Sequence, residues 1–405
     1  MNVPFHRVEC DGNEFSYLKE VLESGWLTTS RFAKRLEDGF VEAIGAKHAI
    51  AVNSCTSALH LAVEAAGIRS GDRVLVPTLT FTSTAEVVRY VGGEVVLCDV
   101  DPGTGLLTPA ILEEALSRNP GIRLVMPVHF AGLAADIASL TEVADRHGVR
   151  IVEDAAHAFP ARYPSTGDVV GSADSVACCF SFYANKTITT GEGGMLVTND
   201  DDVAARARLM RLHGIDRDVW KRFQDPGPSW RYDVVEAGFK YNLPDLNAAV
   251  GVAQLERAES LREARQRLAD RYFAGLGNVA GLDLPPRADG RDAHAWHLFT
   301  VHVRPDASVD RDTLSERLAA MGVATSVHYR PLHRMSFWKA QSDSRPESFP
   351  GAERRWEGTL SLPLFPGMTD AEQDHVCTSI AAVIGSDAPL IEIPPPAELP
   401  AGTVD

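Results

Sequence analysis

Short apolar runs alternate with stretches of helical period along the first half of the chain. Residues 49–52, 73–77, 94–98, 122–128, 149–152, 175–182 and 195–198 read as strands. Between them, residues 56–66, 82–91, 109–118 and 137–147 repeat apolar positions at the spacing of a helix with one buried face. Strand and helix in regular alternation predict an α/β fold, a mostly parallel sheet with helices on both faces.

The pattern changes after residue 240. Residues 242–276 keep one helical period, interrupted at most by Gly251, and predict a long helix leading out of the sheet. Residues 297–303, 311–321 and 324–328 then read as strand, helix and strand, and 369–384 as a closing helix begun by Thr369-Asp370. These elements predict a large domain over 1–250 and a smaller α+β domain over 251–385, joined by the long helix. Residues 386–405, rich in proline and acid without period, predict a flexible tail.

Composition narrows the partners. The 405 residues leave room for two or three domains, and 45% hydrophobic with 23% charged is ordinary soluble composition. No run is long enough to cross a bilayer, and the first residues lack the basic and apolar regions of a signal peptide, so the cytoplasm is the expected location. A net charge of −16 argues against a nucleic-acid partner, whose phosphates need clustered lysine and arginine. It leaves room for a small anion received at a helix N-terminus. The six cysteines (Cys10, Cys55, Cys98, Cys178, Cys179 and Cys377) show no paired zinc spacing, which predicts buried reduced thiols and no metal.

Two stretches carry chemistry. One is Ser181-Phe182-Tyr183-Ala184-Asn185-Lys186, followed by the glycine-rich Gly191-Glu192-Gly193-Gly194; the other is Glu153-Asp154-Ala155-Ala156-His157. A desolvated lysine beside a glycine-rich turn suits a Schiff base with pyridoxal phosphate, and an acid opposite would hold the pyridine nitrogen protonated. Asp154 ends an apolar run, and ligands of open α/β sheets bind at the carboxyl ends of strands. His157 could bond the phenolic oxygen of that cofactor. Asn53-Ser54-Cys55-Thr56-Ser57 lies between a strand and a helix, so the backbone N–H groups of Cys55 and Thr56 can face a phosphate, with the Ser181 hydroxyl added. Phe81 has two readings, a ring stacked on the pyridine or an ordinary core residue.

Together these residues resemble the sugar aminotransferases of the DegT/DnrJ/EryC1/StrS family. The resemblance runs from Ser24-Gly25-Trp26-Leu27-Thr28-Thr29 to Leu360-Ser361-Leu362-Pro363-Leu364-Phe365-Pro366. It implies the type I pyridoxal-phosphate fold with a mostly parallel seven-stranded sheet. Lys186 matches the family's Schiff-base lysine, Asp154 the pyridine partner, and Ser181 with Cys55-Thr56 the phosphate cradle. Phe81 matches the stacking aromatic and His157 the residue beside the phenolic oxygen. Phe239-Lys240-Tyr241-Asn242-Leu243-Pro244-Asp245 matches the segment whose asparagine reaches the other subunit's phosphate, which implies a homodimer with shared sites through Asn242.

Two positions depart from the common pattern: Cys55 stands where many members have glycine, and Pro244 where many have arginine. Lys240-Tyr241-Asn242-Leu243, Pro127-Val128-His129-Phe130, His294-Ala295-Trp296-His297 and Val327-His328-Tyr329-Arg330 resemble the branch that aminates C4 of nucleotide-linked keto sugars. The resemblance implies dTDP-4-keto-6-deoxyglucose as substrate and L-glutamate as amino donor. Thr28, Tyr183, His213, Lys240, His328 and Arg330 are its candidate sugar-site residues. Three alternatives remain at this level: amination at C3 or of a cyclitol, C3 deoxygenation, and a cofactor-binding regulator without turnover. Lys186 argues against deoxygenation, because that branch has histidine there.

Overall fold

The computed structural model describes residues 1–216, 232–287, 294–341 and 345–385. Seven strands form the main sheet: β1 His48–Val52, β2 Arg73–Pro77, β3 Glu94–Cys98, β4 Ile122–Val125, β5 Arg150–Asp154, β6 Ala177–Ser181 and β7 Gly194–Thr198. Their order is β1-β7-β6-β5-β4-β2-β3. β7 runs antiparallel to both neighbours, and the other pairs are parallel. This is the mostly parallel seven-stranded α/β sheet expected.

Side chains alternate across a strand, and each face has its own core. Ile50, Val52, Val74 and Val76 pack with Ala58, Leu59, Val87, Val88 and Ala207 on one side. Those partners belong to α3 Cys55–Ala65, α4 Ser83–Tyr90 and α7 Asp201–Met210, while α1 Glu14–Ser24, α2 Arg31–Ile44, α5 Pro109–Arg118 and α6 Ile137–His147 complete the first half. Ala49, Ala51 and Leu75 face the opposite way, onto Leu36, Phe40, Leu112 and Leu140 of α2, α5 and α6.

A second, antiparallel sheet has the order β10-β9-β8, from β8 Leu282–Asp283, β9 Phe299–Val303 and β10 Thr359–Leu362. Its core joins Phe299, Val301 and Leu360 to Leu268, Tyr272, Leu314, Leu318, Val376 and Ile380. The closing helix Asp370–Ile384 has the expected start: Thr369 and Glu372 form a reciprocal capping box.

Two expected elements differ. The long helix over 242–276 is two helices, Asp245–Glu256 and Ala258–Leu276, and it starts late because Pro244 holds the preceding residues extended. The break falls at Arg257 (φ −112°, ψ 4°), whose side chain is drawn to Glu9 and Asp11. Gly251 lies inside the first helix, where a Cβ would come within 2.7 Å of Thr190. Residues 324–328 form no strand: only Ser326 pairs, with Ser361, before the chain turns to carry His328 and Tyr329 inward. The stretch expected as a tail, 386–405, lies outside the described residues.

Candidate active site

Asp154 is the last residue of β5 and only 3% exposed. Its backbone is locked to the end of β4 by bonds from its N–H to Pro127 O (2.9 Å) and from the His129 N–H to its carbonyl (3.0 Å). Thr84 donates its hydroxyl to Oδ2 at 2.6 Å, and the Ala156 N–H reaches Oδ1 at 3.1 Å. Because Thr84 spends its proton there, the bond between the Thr80 and Thr84 hydroxyls (2.7 Å) must run from Thr80 to Thr84. Burial raises the Asp154 pKa, while Thr84, Ala156 and the nearby Lys186 oppose that rise.

Glu153 points to the other face of the same strand and is fully buried. Ser175 donates to its Oε1 (2.6 Å), and Tyr163 (2.7 Å) and His129 Nε2 (2.9 Å) to its Oε2. His129 Nδ1 accepts the Ala135 N–H at 3.0 Å, so the ring proton sits on Nε2. His129, Glu153 and Cys178 are the one group among the described residues spaced to hold an ion. Hydrogen bonds already occupy both His129 nitrogens and both Glu153 oxygens.

Lys186 lies in the loop after β6, its Nζ 3.4 Å from His297 Nε2. Burial lowers its pKa from 10.5 to about 8, and the nearby Cys55 and Asp154 only partly offset this. His157 is buried; its Nδ1 accepts the Ala131 N–H (3.2 Å), which leaves the proton on Nε2 for Tyr329 Oη at 2.9 Å. Burial and the neighbouring Lys186 and His328 keep His157 neutral. The His157 Nε2 proton is thus engaged by Tyr329, which stands beside the residue expected to bond the cofactor's phenolic oxygen. His328 Nδ1 meets Ser361 Oγ at 2.8 Å, and burial lowers its pKa to about 4. Phe81 is 56% exposed and 6.0 Å from the Tyr329 ring, which rules out the core reading.

The turn before α3 has the shape of an anion cradle. Ser54 caps the helix by accepting the Ser57 N–H (3.1 Å), and the Ser57 hydroxyl donates to Asn53 Oδ1 (2.6 Å). The first N–H groups of a helix have no acceptor within it. Gly194 lets β7 reach this turn, since a Cβ there would stand 2.5 Å from the Ser54 carbonyl carbon. Cys55 is accommodated by turning its thiol to the Cys179 carbonyl (3.6 Å). At the end of β6, Ser181 Oγ accepts the Tyr183 N–H at 3.3 Å.

The other candidates divide by position. Tyr183 and Arg330 are exposed, the latter donating to Arg334 O (2.8 Å). Asn242 donates to Thr29 Oγ1 (2.7 Å) and pairs with Lys240, and His213 bonds Phe239 O through its N–H (2.7 Å). Thr28, His213 and Lys240 are exposed; within this rim group Tyr183 meets Lys186, its carbonyl accepting the Lys186 backbone N–H at 2.9 Å. Thr80, Thr84, His297, Tyr329 and the Glu153 network were not singled out as site residues from the sequence. The motifs containing His297 and Tyr329 were visible, but nothing in them said which side chain turns inward.

These residues fit pyridoxal phosphate. Among the described residues the buried Asp154 carboxylate accepts two hydrogen bonds, a large fraction of the Lys186 amine is neutral near pH 8, and the helix N-terminus at Ser54 suits an anion. Chemistry on a carbonyl cofactor needs such an amine and such an acid at the carboxyl ends of one sheet, and the protein is a pyridoxal-phosphate-dependent aminotransferase. It belongs to the DegT/DnrJ/EryC1/StrS aminotransferase family, whose model matches residues 9–381. The chain is 40% identical over 380 residues to the spore coat polysaccharide biosynthesis protein SpsC of Bacillus subtilis, covering 92% of this chain and 95% of that one. The fold is similar to the putative sugar aminotransferase Spr1654 of Streptococcus pneumoniae in its PMP form, at TM-score 0.87, 27% identity, 95% of this chain and 99% of that one. It is also similar to the aminotransferase TlmJ of Streptoalloteichus hindustanus, at TM-score 0.84, 31% identity, and the same two coverages of 95% and 99%.

Proposed function

We propose that this aminotransferase moves an amino group from L-glutamate to C4 of a nucleotide-linked keto-deoxy sugar, with dTDP-4-keto-6-deoxyglucose the first substrate to test. The observation that carries the chemistry is the Lys186 amine, its pKa held near 8, facing the buried Asp154 carboxylate. The sugar assignment is supported by the names of the relatives, a polysaccharide biosynthesis protein and a putative sugar aminotransferase.

When bound, pyridoxal phosphate supplies an aldehyde that condenses with amines and a ring that withdraws electrons. Lys186 would hold the cofactor between turnovers through its amine. When not joined to the cofactor, the Lys186 Nζ would be the base that takes the proton from the donor α-carbon and later gives it back. Asp154 keeps a proton on the ring nitrogen, and the Thr80–Thr84 chain keeps Asp154 an acceptor. Cys55, Thr56 and Ser181 would hold the phosphate, and Phe81 would cover the ring. His157 holds the Tyr329 hydroxyl, which would be placed to donate to the ring's oxygen. Glutamate leaves as 2-oxoglutarate before the sugar enters, and the second half runs the same proton moves in reverse.

Asn242 acts in the site of a second copy. Its hydrogen bond goes to Thr29, away from Lys186, and Leu27, Phe81 and Tyr183 stand exposed as large apolar groups. In this reading residues 1–250 hold the cofactor, 251–385 close on the sugar, and Thr28, Tyr183, His213, Lys240, His328 and Arg330 line the sugar's path. The location is the cytoplasm; among the described residues no helix is long and apolar enough to cross a membrane.

The test is a panel of dTDP-, UDP- and GDP-linked keto sugars with glutamate, read by 2-oxoglutarate release and by NMR of the product. A new C–N bond at C4 is expected, with no turnover by Lys186→Ala. A bond at C3, or turnover by Lys186→Ala, would overturn the reading.

A further inference from the structure

His297 has no role in the chemistry above, yet it touches the reacting amine. It stands two residues before β9 of the second sheet and is 4% exposed. Its Nε2 is 3.4 Å from Lys186 Nζ, and its ring centroid lies 4.4 Å from that of His157. Two backbone bonds and one from an arginine side chain set its position. Ala295 donates to Gly132 O (2.9 Å), Leu298 to Ala131 O (3.1 Å), and the Trp296 carbonyl accepts from Arg265 Nη1 at 3.1 Å. Gly132 is required for this docking: its φ is +101°, and a Cβ there would stand 3.0 Å from the backbone nitrogens of Trp296 and His297. Arg265 is 1% exposed and also donates to Leu364 O (3.0 Å), so the clamp on Trp296 is itself rigid.

The second ring nitrogen completes the argument. His297 Nδ1 is buried with no hydrogen-bond partner among the described residues. An imidazole placed only to hold the fold would be fastened at one nitrogen at least, as His157 is at both. His297 instead makes its one side-chain bond to the amine. An ammonium can only donate, so Nε2 must be the acceptor whenever Lys186 is protonated. The groups facing Lys186 are Cys55, Asp154, His157, His297 and His328. Those facing His297 are Lys186, His157, Arg265 and His328. Of the three histidines, His297 alone has a described bond to Nζ.

We propose that His297 is a further catalytic residue: its Nε2 receives the Lys186 ammonium each time that side chain is freed, and so holds the transferred proton on Nζ. The inference rests on the assignment of Lys186 as the working amine. Burial and the cations around it keep His297 neutral, as an acceptor must be. No net proton moves to His297. The proton taken from the donor carbon stays on Nζ, oriented along the hydrogen bond, until it is returned.

The experiment reads the amine itself, in full-length protein stripped of cofactor. Lysines are dimethylated with 13C-formaldehyde and cyanoborohydride, which leaves one N–H on the ammonium, and the Lys186 resonance is identified by its loss in Lys186→Ala. Its titration is followed in the unsubstituted protein, His297→Leu and His297→Gln, with thermal unfolding as the folding control. Losing an acceptor of the ammonium should lower the Lys186 midpoint by about one pH unit in His297→Leu. The glutamine oxygen should restore most of it. In the reconstituted enzyme, the glutamate half-reaction should lose about tenfold in kcat in His297→Leu with KM unchanged. An unchanged midpoint in His297→Leu overturns the proposal. So does a glutamine variant that melts like the unsubstituted protein but titrates like the leucine one. Full turnover by Lys186→Ala would remove the underlying assignment instead, and would leave the titration result standing.

Discussion

At Lys186 a single side chain shows how burial becomes reactivity. The amine attacks a carbonyl only when neutral, and desolvation brings its pKa down to about 8. Below that value the neutral fraction rises tenfold per pH unit. Capture of pyridoxal phosphate by stripped protein, followed by absorbance, should therefore accelerate about tenfold per unit up to about pH 8 and level off above it. A rise continuing to pH 10 would mean a solvated lysine. Lys186 and Asp154 were legible because their neighbours in the chain are also their neighbours in the site. Thr84 and His297 were not, since each meets its partner across a wide gap in sequence, 70 and 111 residues.

Elements matter here by where they stop. β5 ends at Asp154, β6 ends at Ser181, and α3 begins at Cys55, so three termini converge on one place. Gly194 at the start of β7 makes the convergence tight enough to shape the cradle. Gly194→Ala would drive a Cβ into the backbone of Ser54 and Cys55, which no rotamer change can relieve. Its expected cost is about 1–3 kcal/mol of stability and at least a tenfold rise in the dissociation constant for pyridoxal phosphate, measured by thermal unfolding and equilibrium titration. Normal affinity in that variant would place the phosphate elsewhere. The strands were readable because most of them pack a core on both faces and so carry short runs of apolar residues. Residues 324–328 misled because the stretch makes a single pairing, at Ser326, before it delivers His328 and Tyr329. The break at Arg257 was hidden for a related reason: its cause, Glu9 and Asp11, lies at the far end of the chain.

For the whole molecule the open question is how many chains make a site. If Asn242 serves a second copy, Lys186→Ala and Asn242→Ala proteins, each inactive, should complement when unfolded and refolded together. Half the dimers would be mixed, and each would carry one site with both residues intact, so roughly a quarter of the normal activity should return. No recovery would put Asn242 and Lys186 in the service of one site within one chain. The N-terminal segment adds a tie between the two sheets. Val3 pairs with Val323, Phe5 stacks on His328 at 5.8 Å, and Glu9 holds Arg257.

What the amino-acid order determined alone was the alternation that builds the sheet and the local strings bearing lysine, acid and cradle. Both are encoded at short range, in hydrophobic period and in side chains that stay adjacent after folding. Only the tertiary structure decided how Tyr163, Ser175 and His129 hydrogen-bond Glu153, that His157 spends its proton on Tyr329, and that His297 reaches Lys186. These are contacts between distant segments, and a hydrogen bond records its partner in geometry rather than in spacing along the chain.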